Sequence, residues 1–161
     1  MLIIEKLGNL HTSPINNRKV DPLPVEWYET NKRILHKPTR SGQPVTLKFL
    51  QQNPELKEGD ILWLDERNII AVEIIPCRCI VISPASIRTA SSLSYEIGNK
   101  HLPLFYEDDE LIVPYEDPLF HLLKASGYEV RVEERKLKEA LKTSVLPHVQ
   151  TGPNLFNKIL Q

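Results

Sequence analysis

Sulfur is scarce in this sequence, with two cysteines and one methionine among 161 residues. Cys77 and Cys79 cannot build the disulfide framework that small secreted domains rely on. Glycine is also sparse, at six residues. No Gly-rich phosphate loop, no Gly-x-Ser-x-Gly elbow and no His-Glu-x-x-His helix occurs, which argues against nucleotide hydrolysis and against the common serine and zinc hydrolase sites. An excess of one charge is missing too. Twenty Lys and Arg face twenty-one Asp and Glu, for a net charge of −1, so no global field favours nucleic acid or an anionic membrane. No run approaches the roughly 18 apolar residues of a membrane span. The opening Met-Leu-Ile-Ile-Glu-Lys lacks the charged, then apolar, then small layout of a signal peptide. A cytoplasmic location, with neither nucleic acid nor membrane as partner, is the expectation.

The residues that are present divide into two patterns. The first half reads as strands: Leu2 to Ile4, Arg33 to Lys37, Val45 to Leu50, Asp60 to Leu64 and Ile69 to Ile75 alternate or run apolar between Pro, Gly and Asn punctuation. Pro22 and Pro24 favour extended backbone. After Pro76 the pattern changes. Cys77 to Ser83 reads as a strand, and Ser83 with Pro84 reads as the start of a helix. Ile87, Ala90, Leu93 and Ile97 recur at helical spacing until Gly98-Asn99, a pair suited to the left-handed conformation that ends helices. A hairpin from His101 to Tyr115 turns at Glu107-Asp108-Asp109-Glu110. A second helix is expected from Asp117 and Pro118 to Gly127, and a last strand from Tyr128 to Val132. The fold class expected is therefore α+β: a small all-β module over residues 1–76, then a βαββαβ unit of the ferredoxin-like plan over 77–148, and a tail over 149–161.

The stretch Gly98-Asn99-Lys100-His101, followed by an apolar strand, an acidic turn and Leu111-Ile112-Val113-Pro114-Tyr115, strongly resembles the urease accessory protein E family of dimeric nickel metallochaperones. Glu26-Trp27, then Asn31-Lys32-Arg33-Ile34-Leu35, Thr39 and Gly42, is similar to the family's N-terminal pattern, as is Gly59-Asp60-Ile61-Leu62. The resemblance covers about residues 1–148 and implies a homodimer that binds Ni2+ and delivers it to urease during maturation. It implies the urease accessory GTPase and the urease apoprotein–accessory complex as partners, the N-terminal module as the partner-binding part, and no catalysis.

The same resemblance puts the central metal ligand on His101. Neutral imidazole suits nickel, zinc and copper alike. One imidazole holds a metal weakly, but an isologous dimer presents it twice. His148 is the second candidate, because the family carries histidines in a C-terminal tail, where tethering raises their effective concentration. Glu96, Tyr115 and Asp117 stand where some relatives have further histidines, and the simplest reading is that those peripheral sites are absent. Cys77 and Cys79 share one face of a strand. Two thiolates bind zinc or copper, but free cysteine is commonly a small core residue, and core is the favoured reading. His11, His36 and His121 read as surface residues. Two alternatives remain at this point: a small metal-dependent hydrolase using His101 with Glu107 or Asp109, and a metal-independent interaction module.

Overall fold

The computed structural model describes residues 1–50, 54–138 and 140–141. They form a mixed α+β structure with three sheets and two α-helices. In the first half, β1 (Leu2–Ile3), β5 (Pro44–Lys48) and β4 (Ile34–Pro38) make one sheet in that order. A second sheet runs in the order β2 (Gly8–Asn9), β6 (Asp60–Leu64), β7 (Asn68–Ile74) and β3 (Lys19–Val25). Pro22 and Pro24 lie within β3, which takes the edge of its sheet, where their missing N–H groups break no ladder. One apolar cluster joins the two sheets. It takes Ile3, Leu35, Val45 and Leu47 from the first and Leu23, Val25, Leu62, Ile70, Val72 and Ile74 from the second, so the sheets pack face to face.

The second half begins at β8 (Cys77–Ile82), two residues after β7. It continues through α1 (Ile87–Asn99), β9 (Phe105–Glu107), β10 (Glu110–Pro114), α2 (Asp117–Ala125) and β11 (Val130–Arg135). The four strands form one antiparallel sheet in the order β11-β8-β10-β9. Strand alternation gives this sheet two different faces. Ile80, Ile82 and Val113 pack with Leu93 and Ile97 of α1 and Leu119 and Leu123 of α2. On the opposite face Cys79, Val81, Phe105 and Ile112 are covered by Leu137 and by Trp27 from the first half. Trp27 meets Phe105 edge-on at 5.7 Å. Lys136 pairs with Glu58 at 2.8 Å and adds a second tie between the halves.

Both helix starts lie later, or are capped differently, than the sequence pattern indicates. Ser83 is not the cap of α1. Its hydroxyl sits between Glu110 and Arg131 at the end of the sheet, and Ser86 caps the helix instead, accepting the Thr89 N–H at 3.2 Å. Asp117 is not a cap but the first helical residue of α2, with Glu116 before it. Its carboxylate is drawn to Tyr115 and His121. The last strand runs to Arg135, beyond the expected Val132. Ion pairs carry it: Arg131 and Arg135 both hold Glu133 and Glu110, and Arg135 also holds Glu107.

Candidate metal centre

The candidate ligand His101 follows the end of α1. Gly98 and Asn99 were expected to leave the helix in the left-handed conformation. Instead both are helical, and the left-handed residue is His101 itself, at φ +57°. The reason is the hydrogen-bond closure that follows. The His101 N–H reaches the Gly98 carbonyl at 2.9 Å, and the Leu102 N–H reaches the Ile97 carbonyl at 3.4 Å. This is the Schellman motif, in which an apolar pair flanks the left-handed residue. Ile97 and Leu102 are that pair, and both belong to the core under α1. The second helix ends the same way: Gly127, at φ +81°, donates to Lys124 and Tyr128 donates to Leu123. Two equivalent turns thus carry glycine in one case and histidine in the other. Histidine accepts left-handed backbone better than most residues, but it is still strained there, and such strain gathers at functional sites.

His101 is exposed. It does not open a strand as the sequence suggested, because β9 starts only at Phe105. Its neighbours Lys100 and Leu102 line a cleft of about 130 Å³ with Glu116, Pro118, Leu119 and Leu122. Among the described residues no three His, Cys, Asp or Glu side chains gather into a metal cluster. The other sequence candidates lie apart from one another. His36 pairs across strands with Thr46 at 3.0 Å. His121 faces Asp117 at 3.4 Å on the surface of α2. His148 lies outside the described residues, as does the 149–161 tail.

The two thiols are close, with their sulfurs 3.7 Å apart. Cys79 is fully buried, and burial, with Cys77 beside it, pushes its thiol up to about 12. Burial raises the Cys77 thiol as well. In both, burial disfavours the thiolate, the form that binds a metal. In the acidic hairpin, Glu107 and Glu110 are neutralised by Arg135 and Arg131. Glu107 is held by Arg135 at 3.0 Å, and among the described residues no ion pair joins His101 to Glu107 or to Asp109, the two carboxylates a hydrolase reading would use.

One feature of α1 was not legible as function. Ile87 was expected on the core-facing stripe, yet it is 88 % exposed, and Tyr95, two turns on along the same side, is 74 % exposed. Only Leu93 and Ile97 are buried. The helix therefore carries a second apolar side open to solvent, on the helix that ends in His101.

A sequence profile of the UreE urease accessory protein, N-terminal domain, matches residues 3–75. A urease accessory protein UreE from Flavobacterium johnsoniae is 42% identical over 161 residues, covering 99% of this chain and 98% of the relative. The protein of the same name from Actinobacillus pleuropneumoniae is 38% identical over 142 residues, 86% of this chain and 76% of its own length. That from Acetivibrio thermocellus is 36% identical over 142 residues, 88% and 92%. All three are named as accessory proteins, not enzymes.

Proposed function

The chain belongs to the UreE family of urease accessory proteins, and from that premise we propose that it is a homodimeric metallochaperone that carries Ni2+ to urease. Its role lies in urease maturation, and it is not an enzyme. Nickel is cargo here. Two copies of His101 across a two-fold axis supply two imidazole nitrogens, and open positions are left for water and for mobile ligands. A site so built captures the ion yet leaves a face from which it is taken, unlike the closed four-ligand sites of structural zinc. Zinc and copper suit the same donors.

The observation that carries this reading is His101 itself: exposed, and held in left-handed backbone where the fold's other equivalent turn uses Gly127. The exposed Tyr95 on the last turns of the same helix supports an apolar contact near it. The route of the chain supports His148 as a supplementary ligand. Ala140 lies opposite Phe105, and the Leu141 N–H donates to the Leu104 carbonyl at 2.7 Å. That pairing puts Leu141 beside Leu104, three residues along the chain from His101. His148 is seven steps along the chain from Leu141, a reach of about 24 Å, whereas His101 is at most about 11 Å along the chain from Leu104.

In this reading residues 1–76 form the partner-binding unit. Residues 77–148 form the dimerising, metal-holding unit, whose βαββαβ order and antiparallel β11-β8-β10-β9 sheet support a ferredoxin-like plan. Residues 149–161 form the tail. The recipients are the urease accessory GTPase and, through it, the urease apoprotein complex, all in the cytoplasm. Calorimetry with nickel tests the proposal. The wild-type chain should bind about one tight nickel per two chains, and His101→Ala should lose that site. One nickel per chain, or unchanged affinity in the variant, would overturn it.

A further inference from the structure

The chain has two cysteines, and the fold sets them side by side. Cys77 and Cys79 take alternate positions of β8 and share the face that also carries Val81. Their sulfurs are 3.7 Å apart. A disulfide needs its sulfurs about 2.05 Å apart and its α-carbons about 4.4–6.8 Å apart. Residues two apart along a strand have α-carbons about 6.4–6.8 Å apart, at the upper end of that range. The bond is therefore within reach of this strand but strained in it, and strained disulfides are the readily reduced ones.

The two thiols are not equivalent. Cys79 is fully buried and is held from both sides, opposite Pro114 of β10 and Glu133 of β11. Cys77 is half-buried. It lies past the end of the pairing with β10 and stands opposite Arg135 of β11 alone. Pro76 before it has no N–H to tie it down. Cys77 is thus the sulfur that an oxidant meets first and the one free to move toward its neighbour. The Cys79 S–H donates to the Cys77 carbonyl at 3.2 Å, which leaves the lone pairs of the Cys79 sulfur to face Cys77. Burial raises both thiols, but contact with Cys79 opposes the rise at Cys77, whereas Cys79 is pushed up to about 12.

We propose that Cys77 and Cys79 form a dithiol that hydrogen peroxide closes to an intrachain disulfide and that small thiols reopen. In the first step the Cys77 sulfur attacks one oxygen of the peroxide. The O–O bond breaks, Cys77 becomes a sulfenic acid and one water leaves. In the second step the Cys79 sulfur attacks the Cys77 sulfur. The S–O bond breaks, and the hydroxyl leaves with the Cys79 proton as a second water. The two sulfurs lose two electrons and the peroxide gains them. A reducing compartment holds the pair as thiols at rest, and disulfides formed there are transient. Trp27 of the first half packs against the same cluster, so the pair sits at the seam between the two halves. The chemistry involves neither His101 nor nickel.

The test uses the full chain in chelator, incubated with excess hydrogen peroxide and then alkylated under denaturing conditions. The wild-type chain should lose both free thiols, remain a single chain on a non-reducing gel, and regain both thiols in dithiothreitol. Trypsin cuts after Arg78, between the two cysteines, and so places them on different peptides. Those peptides should emerge as one linked species about 2 Da lighter than their reduced sum. Cys79→Ser should stop at the sulfenic acid of Cys77, which dimedone traps at a level absent from wild type. Three results would overturn the proposal: both thiols retained, Cys77 carried on to sulfinic acid with Cys79 still free, or a disulfide that joins two chains. All three are read on the wild-type chain, so the proposal can be refuted even where Cys79→Ser does not fold.

Discussion

Replacing His101 by glycine should make the protein more stable than replacing it by alanine, although glycine is ordinarily the poorer residue for stability. The backbone at His101 is left-handed. A β-carbon in that conformation costs about 1–2 kcal/mol. Alanine keeps this cost, whereas glycine removes it. Against that gain, glycine loses about 0.5–1 kcal/mol more backbone entropy on folding. The net difference favours His101→Gly over His101→Ala by about 0.5–1 kcal/mol, or a few degrees in Tm for a chain of this length. Gly127 supplies the mirror experiment. It holds the same place in the turn after α2, so Gly127→Ala should lose stability by a similar amount. Thermal and urea unfolding of the apo proteins, with chelator present, measure both differences. An alanine variant at least as stable as the glycine variant would show that the turn after α1 does not hold residue 101 in the left-handed region, and the argument from strain would fail with it. Nickel binding is read on the same two proteins. Both should lack the tight site, so that the more stable variant is also the inactive one, as expected where a binding residue is held at a cost to the fold.

Glu29 gives a stability prediction with a definite pH sign. Burial alone would raise its carboxyl, but the hydrogen bonds from Lys37 at 2.6 Å and from the Glu26 N–H at 3.1 Å outweigh it and hold the group below its ordinary value. Its contribution is therefore complete above the unfolded carboxylate range and is lost as pH falls through the depressed folded value. Glu29→Gln should cost about 2 kcal/mol near neutral pH, with the gap to wild type closing below about pH 4 in urea titrations; a gap independent of pH would refute the ion-pair account. Cys77→Ser with Cys79→Ser should leave nickel stoichiometry and affinity unchanged in calorimetry while lowering Tm, because a hydroxyl replaces a fully buried thiol; a large loss of nickel would transfer the site to sulfur. Truncation after Leu141 should weaken nickel binding without abolishing it. Unchanged affinity would remove His148 from the site, and complete loss would move the site to the tail.

The sequence placed most strands well where alternation was strong. The Asp60–Leu64 strand was read to the residue, and β7 and β8 to within one, because their apolar runs are bounded by turn residues. The misplaced elements are those set by contacts between distant segments. Ser83 looks like a cap, but Arg131 and Glu110, far along the chain, claim its hydroxyl, and Ser86 takes over. Arg131 and Arg135 extend the last strand through ion pairs to a hairpin that a local window does not see. The turn after α1 was within reach: the apolar pair Ile97 and Leu102 fixes where a Schellman motif closes, and that pair would have put the left-handed residue at His101 rather than at Gly98 or Asn99. The expectation of His101 as a metal ligand rests on its motif, which says nothing of the backbone conformation at that residue. The outward-facing Ile87 was hidden because an apolar residue at helical spacing reads as core whether it faces the sheet or the solvent.

The most direct measurement is a crystal structure of the full chain grown with nickel, with anomalous differences collected at the nickel edge. The account predicts one peak on the two-fold axis between two copies, bounded by the two His101 imidazoles. A peak held within a single copy, or one removed from His101, would contradict it.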